Sequence, residues 1–410
     1  MGFGMAKGSF IGAMLLVAGT CIGGGMLALP VATSMAGFFP SLVMMLVGWA
    51  FMTLTALFLS EVNLWMEEGA HVMTMASRFL GPIGKAVAWI LYLFIGYASL
   101  VAYTAGGGGL MQVGVESIFG LSMPHPIAAT VFIIIFGLII YLGNIVVGRI
   151  NTILMVGLII SYILLITLGS SQVKWQNLKI HDFCKTIIAV PLLLTIFSFQ
   201  TIVPSLTLYL QKDGKILRRA IICGTTLALL IYIIWQWLVL GTVSQEGEFG
   251  LKNALIQGKP ATDFLRMAVG NPWVARAADF FAFFALVTSF LGIALGLFDF
   301  LSDGLKISRK GLGSIALGLL VAGPTLFFAI SMEKVFLTAL DSSGGIGDAI
   351  LNGLMPSLML YIGRYKMNLQ SDYRIPGGKG IIYLAIVYAL FVFTIEILGK
   401  FGIILSIYQC

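Results

Sequence analysis

Residues 18–30 read Ala18-Gly19-Thr20-Cys21-Ile22-Gly23-Gly24-Gly25-Met26-Leu27-Ala28-Leu29-Pro30, in the middle of the first long apolar run of the chain. Glycine costs about 1 kcal/mol relative to alanine inside a helix, and proline removes a backbone donor. In hydrocarbon, every backbone group freed in this way has to find a partner or line a cavity. Three consecutive glycines followed by a proline at mid-span therefore predict a broken helix with something polar at the break.

The rest of the chain says that this run lies in a membrane. Of 410 residues, 59% are hydrophobic and 10% charged, and the mean hydropathy is +1.02. Soluble chains carry roughly 25% charged residues. About 20 apolar residues cross a bilayer as a helix. Eleven runs qualify: 9–34, 39–65, 83–115, 126–147, 150–169, 186–210, 220–241, 274–302, 312–330, 335–362 and 381–407. Strands of a membrane barrel alternate over about 10 residues, whereas these runs are longer and continuous. The expectation is an all-α polytopic membrane protein of eleven transmembrane helices. No cleaved leader is expected ahead of the first run, whose short flank carries one Lys. Met-Gly-Phe-Gly-Met-Ala also lacks the Ser or Thr of a myristoylation signal.

Orientation follows from Lys and Arg. An internal N-terminus places Lys7, Arg78, Lys85, Arg149, Lys212, Lys215, Arg218, Arg219, Lys306, Arg309, Lys310, Arg364, Lys366, Arg374 and Lys379 on the cytoplasmic side, fifteen of the 24 basic residues. The N-terminus is thus expected inside and the C-terminus outside. The net charge of +7 then reflects topology and attraction to anionic lipid, and no nucleic-acid partner is expected. Cys21, Cys184, Cys223 and Cys410 show no paired spacing. His71, His125 and His181 are isolated in loops or at span ends. No interfacial cluster of His, Asp and Glu suggests an enzyme. The longest polar connection, about 242–272, is expected to form a small external cap helix.

A second run is interrupted in the same manner. Residues 187–205 place Phe197, Ser198, Phe199, Gln200 and Thr201 at mid-span between Pro191 and Pro204. Interrupted spans at corresponding places in two halves are a sequence pointer to a transporter's binding site. The first break is in span one and the second in span six. Spans 9–170 and 184–362 then form two inverted five-helix repeats, with 381–407 as an additional helix.

Each break implies a chemistry. Beyond the first, the N–H groups opening the outer half-helix have no intrahelical partner and lie at the positive end of its dipole. Gly23, Gly24 and Gly25 let a carboxylate approach this backbone closely. Carbonyls at Thr20, Cys21 and Ile22 suit a cation or an ammonium group. At the second break, Phe197 and Phe199 offer ring faces, and the Gln200 amide needs partners. In span eight, Ala285, Thr288, Ser289 and Gly292 share one helical face, where hydroxyls can hold a hard cation or bond back to their own helix. Span three holds Tyr97, placed to reach a carboxylate, together with Tyr103, Thr104 and the glycines 106–109. Glu61, Asp299, Asp303, Asp341, Asp348 and Glu396 are ionisable groups in or beside spans, which are costly there and usually functional. Asp299 and Asp303 adjoin a basic turn and are expected to form salt bridges. Asp341-Ser342-Ser343-Gly344-Gly345 reads as a further local break, in span ten.

Three strings carry a resemblance. They are Gly19-Thr20-x-Ile22-Gly23-x-Gly25-Met26-Leu27-Ala28-x-Pro30, then Phe197-x-Phe199 with Val203-Pro204-Ser205, then Ala285-x-x-Thr288-Ser289-Phe290-Leu291-Gly292-x-Ala294-Leu295-Gly296-Leu297-Phe298-Asp299. The chain resembles the tyrosine/tryptophan permeases of the bacterial hydroxy and aromatic amino acid permease family, within the amino acid–polyamine–organocation superfamily. The resemblance implies the five-plus-five inverted fold of sodium-coupled amino acid transporters (LeuT-type), with broken helices one and six and an appended eleventh helix.

It also implies a symporter for tyrosine or tryptophan in the bacterial inner membrane, and a monomer is expected. The backbone of Gly23, Gly24, Gly25 and Met26 would meet the substrate carboxylate. Carbonyls of Thr20, Cys21 and Phe197 would face the amine. A sodium ion would take the carbonyls of Gly19, Ile22 and Ala285 and the hydroxyls of Thr288 and Ser289. The family's aromatic permeases carry His-Gly-Ser where this chain has Gln200-Thr201-Ile202. Proton-coupled relatives carry a span-five Lys where this chain has Met155. Sodium is therefore the expected coupling ion and a proton the alternative. Another neutral amino acid is the alternative substrate, and a passive channel the alternative class.

Overall fold

The computed structural model describes residues 8–332, 334–370 and 373–407, excepting the side chains of residues 144 and 145. Lys7 and Cys410, named above for orientation and cysteine spacing, lie outside the described residues. The chain begins with α1 (Phe10–Cys21), capped by Ser9, whose hydroxyl accepts the Gly12 amide. After Ile22 and an extended Gly23, the residues Gly24–Leu27 form a 3₁₀ turn that leads into α2 (Leu29–Ala32), with Pro30 in its first turn. The two pieces are bent by 47°. The expected break in span one is therefore present.

Nine further segments among the described residues are long and apolar enough to cross a membrane, and the bent pair makes a tenth. They contain α3 (Phe38–Leu64), α4 (Val72–Phe119), α6 (Asn144–Gly169), the broken segment Phe183–Tyr209, α10 (Gly214–Thr242), α13 (Pro272–Leu305), α14 (Leu312–Ser331), Val335–Tyr365 and α17 (Gly378–Lys400). The remaining apolar helix, α5 (His125–Ile140), has 16 residues. The protein is thus an all-helical, polytopic membrane protein.

Several boundaries differ from the hydropathy reading. The run 126–147 is not one helix: α5 ends at Ile140, and α6 starts at Asn144 after Gly143 turns the chain at φ 90°. Ile139, Ile140, Leu142 and Val146 keep this turn apolar, so hydropathy passes straight through it. In α4 the kink falls at Gly81 (φ 74°), just before Pro82. The following residue, Ile83, is where the third apolar run begins. The connection 242–273 folds as two short helices, α11 (Leu251–Gln257) and α12 (Ala261–Ala268), rather than one.

Span ten is not broken at 341–345 as its glycines suggest. Helix α15 (Val335–Ser342) widens into a π-helix over Ser343–Leu354 and resumes as α16 (Met355–Tyr365). Gly344 explains the need for glycine, since a Cβ there would lie 1.9 Å from the Pro191 carbonyl oxygen. Close packing against the broken segment, rather than chain interruption, sets this sequence.

The second break divides α8 (Val190–Ile196) from a 3₁₀ turn at Gln200–Ile202 and α9 (Val203–Tyr209). Helix α1 packs along α10, α13 against α6, α4 and α5, and α8 between α3 and the π-helix. Both breaks are enclosed by these helices. Cys21, Met26, Phe197 and Phe199 are all buried.

Ionisable groups near the helix ends have partners. Arg309 meets Asp299 at 2.8 Å and Asp303 at 2.9 Å, the salt bridges expected of that basic turn. Arg364, counted above among the basic residues of the cytoplasmic side, is buried. Its Nε donates to Glu61 at 2.7 Å, and Glu61 also accepts the Ile375 amide at 2.8 Å.

Candidate functional site

The two breaks touch. A Cβ on Gly25 would meet Ile196 Cγ2 at 3.5 Å, which sets the glycine turn of the first broken helix against the end of α8. Tyr232, in the middle of α10, lies between them. Its hydroxyl is 2.6 Å from the Cys21 carbonyl oxygen and 2.7 Å from that of Ile196. Its ring meets Phe197 edge-on, with centroids 5.2 Å apart. One turn away, Trp235 donates its indole N–H to the Met26 carbonyl at 2.9 Å. Two aromatic residues of α10 thus hold three carbonyls that the breaks release.

The amide side of the first break faces α13. Ser289 Oγ accepts the Gly24 N–H at 2.9 Å, and a Cβ on Gly23 would sit 2.3 Å from that oxygen. Tyr103 of α4 closes the other side. Its hydroxyl lies near those of Ser289 and Ser99, and a Cβ on Gly24 would meet its ring at 2.7 Å. No residue other than glycine fits between Tyr103 and Leu286 at this point. The Gly23 and Gly25 amides take no acceptor among the described residues. A 3₁₀ turn that presents such amides can receive an anionic oxygen.

At the second break, Ser198 turns to the π-helix. It donates to Asp348 Oδ1 at 2.6 Å, and Asn352 donates to the same carboxylate at 2.6 Å. Asp348 is fully buried, and its Oδ2 has no hydrogen-bond partner among the described residues. Thr195 donates to the Leu340 carbonyl at 2.7 Å. The π-helix is therefore the surface on which the second break rests.

The sequence-derived site residues divide into two groups. Cys21, Gly23, Gly24, Gly25, Met26, Phe197 and Ser289 come together at the junction, Phe199 is buried, and Ser198 faces the π-helix. Gln200 does not point into it: Nε2 donates to the Met52 carbonyl at 3.1 Å, and Oε1 accepts the Phe199 amide at 2.9 Å. Its amide clamps the break onto α3, which satisfies the group without a ligand. Tyr97 is also elsewhere, donating to the Leu320 carbonyl of α14 at 2.8 Å. The tyrosine of α4 at the junction is Tyr103.

Thr20 and Thr288 bond back to Leu16 and Phe284 of their own helices, both at 2.7 Å. Each donates its hydroxyl proton there, a bond that uses neither of the oxygen's lone pairs. Gly19 faces Met155, whose methyl would contact a Cβ there at 3.4 Å. Ala285 is fully buried one turn before Ser289. Tyr232, Trp235, Asp348 and Asn352 were not singled out as site residues from sequence. Asp348 alone carried a signal, as an intramembrane carboxylate.

Two helix breaks in mid-bundle, with released amides on one side and carbonyls tied on the other, mark a polytopic membrane protein whose candidate site is internal and lined by backbone. The chain belongs to the tryptophan/tyrosine permease family, whose model matches residues 6–396. It is 32% identical over 397 residues to "Tyrosine-specific transport system 1" of Haemophilus influenzae, covering 96% of this chain and 97% of that one. It is 29% identical over 413 residues to the "Tryptophan-specific transport protein" of the same organism, with the same coverage. A "Tyrosine permease" of Enterobacter agglomerans is 28% identical over 97% of this chain and 98% of its own length. As a member of a permease family, the protein is a transport protein and not an enzyme.

Proposed function

We propose that this protein imports tyrosine, tryptophan or both across a bacterial inner membrane as a secondary-active symporter working by alternating access. The observation that carries this reading is the junction itself, where Gly23–Gly25 amides, the Phe197 break and Tyr103 converge. Family membership over almost the whole chain supports the substrate class, as do the names of the relatives.

In the proposed mechanism the substrate carboxylate takes the amides of Gly23, Gly24 and Gly25, displacing the Ser289 hydroxyl from Gly24. The ammonium group faces the carbonyls of Thr20 and Phe197. Sodium binds between spans one and eight on the carbonyls of Gly19, Ile22 and Ala285 and the hydroxyls of Thr288 and Ser289. The apolar Met155 beside Gly19 supports a metal ion over a built-in ammonium there. Ligand binding fixes the broken helices, and the bundle of spans one, two, six and seven then rocks against the remaining helices.

The proposed topology has eleven crossings, with α5 as the fourth. Its N-terminus is cytoplasmic and its C-terminus external. Residues 9–170 and 184–362 are the two inverted repeats, 381–407 is the additional helix, and the monomer is the working unit. Labelled tyrosine uptake into proteoliposomes tests the reading, with competition by each of the twenty amino acids. Sodium is replaced by choline at fixed pH, and a proton gradient is then imposed alone. Saturable uptake competed by tryptophan supports it, whereas non-saturating flux indicates a channel. Full uptake without sodium moves the coupling to protons.

A further inference from the structure

Beyond the junction, the outer half of span six rests on a second set of polar groups. Asp341, at the end of α15, and Glu396, in the last turn of α17, are both buried, each at 1% exposure. Their carboxyl groups hydrogen-bond to each other. The contact has a built seat: a Cβ on Gly345, one turn beyond Asp341, would lie 2.5 Å from Glu396 Cβ and 2.8 Å from its Oε2. Glycine at 345 is what lets the Glu396 side chain reach across span ten. Lys400, one turn along α17, approaches Glu396 Oε1 at 3.5 Å from a partly exposed position. The Leu192 backbone N–H of α8 also faces the Asp341 carboxyl, whose Oδ1 is buried with no hydrogen-bond partner among the described residues.

Two carboxylates in hydrogen-bond contact have no donor between them. The contact exists only while one of them carries a proton. Losing that proton leaves two negative charges in a buried site, which is strongly disfavoured. Lys400 can offset one of them.

We infer that Asp341 and Glu396 form a proton-binding site that latches the outer half of broken span six to spans ten and eleven. With the proton bound, the pair is a single-charge acceptor for Leu192 and holds α8 against the π-helix. When the proton leaves to solvent past Lys400, the carboxylates repel and α17 separates from Gly345. The grip on α8 loosens. The other groups facing the pair are few. On α8 they are the Leu192 amide and the Thr195 hydroxyl, and on α17 Lys400. On span ten itself, Asp348 lies seven residues on, held by Ser198 and Asn352, and across from it on α4 is Tyr103. This site is separate from the sodium position of the mechanism above. It makes transport depend on pH whichever ion drives it. The consequence for transport rests on the proposed symport; the proton site itself does not.

The two are tested separately. Infrared difference spectra of the purified protein, titrated with acid and base, should show the carbonyl stretch of a buried protonated carboxyl group disappearing as pH rises. That band should be absent from the double variant Asp341→Asn/Glu396→Gln. It should persist to higher pH in Lys400→Met, a conservative change at a partly exposed position that serves if the double variant does not fold. A titrating band equal in the double variant, or unmoved in Lys400→Met, overturns the site. In proteoliposomes at fixed sodium, wild-type tyrosine uptake should fall at least fivefold across the pH range in which the band is lost. Glu396→Gln, a permanent mimic of the protonated pair, should vary by less than twofold. A Glu396→Gln profile as steep as wild type overturns the latch. No tyrosine uptake by the wild type with the infrared titration intact refutes the transport reading and leaves the proton site standing.

Discussion

Ser289 of α13 accepts the Gly24 amide across the first helix break at 2.9 Å. A hydroxyl from a distant span thus occupies one of the amides assigned to the substrate, and it shapes what mutations at the break should do. In Ser289→Ala this buried amide loses its acceptor, at a cost of about 1–3 kcal/mol. The melting temperature of the purified protein should fall by a few degrees. Tyrosine should restore most of the loss, because its carboxylate replaces the missing acceptor. A variant equally destabilised with and without tyrosine argues against a carboxylate at Gly24.

Gly24→Val should abolish substrate binding while the protein still reaches the membrane. The added Cβ meets Tyr103 at 2.7 Å and Leu286 at 3.0 Å, both side chains. Both contacts are side chains, which can be displaced at the site while the backbone of the fold stays in place. Gly344→Ala should be worse for folding, because its Cβ meets backbone at the Pro191 carbonyl. Surface expression and equilibrium binding of labelled tyrosine separate the two outcomes.

Tyr232→Phe keeps the ring against Phe197 and removes the group shared by Cys21 and Ile196. One buried hydrogen bond is worth about 0.5–1.5 kcal/mol net, so the thermal midpoint should move modestly. Uptake should drop more than tenfold, because the two breaks lose their common anchor. Proportionate losses of stability and uptake would reduce Tyr232 to a packing residue.

The two tyrosines of α4 should behave differently. Tyr103→Phe, beside Ser289 and Gly24, is expected to weaken tyrosine affinity several-fold. Tyr97→Phe, which only frees the Leu320 carbonyl, should leave affinity within twofold. The reverse order of effects would put the site on the wrong side of α4.

Outside the spans, burial pushes the Asp263 carboxyl of α12 up from 3.8 to about 6, against the opposing pull of Arg266 and Lys259. A carboxyl that binds its proton more tightly in the folded state stabilises the fold when protonated. That contribution is fully present below pH 3.8 and is lost as pH rises through about 6. Asp263→Asn should therefore melt higher than wild type at pH 7–8, and the two should converge near pH 4. Equal melting temperatures at both ends of this range would exclude the effect.

What could be read from sequence was what depends on local covalent chemistry. Gly23-Gly24-Gly25 and Pro30 disrupt a helix wherever they occur, so the first break was visible without a fold. The prolines around Phe197 marked the second in the same way. Tyr232 was hidden because Ile231-Tyr232-Ile233 reads as ordinary apolar helix, and its role exists only once α10 lies between two breaks. Gln200 was recognisable as a group in need of partners, but nothing local pointed to Met52, 148 residues earlier. The turn at Gly143 escaped because apolar residues surround it. The glycines at 344 and 345 signalled an irregularity but not its kind. They make room for the Pro191 carbonyl and the Glu396 side chain, which is a tertiary fact.

The shortness of α5 reaches beyond the protein. Sixteen residues rise about 24 Å at 1.5 Å each, against a hydrocarbon core of about 30 Å. If α5 is the fourth crossing, as the proposed topology has it, several ångströms of lipid tail are left unmatched on one flank, while the neighbouring 34-residue α13 has length to spare. Lipids beside α5 must compress or tilt to meet it. Acyl-chain length then becomes a control variable for this permease, and reconstitution into shorter-chain bilayers should relieve a strain that the amino-acid sequence cannot remove.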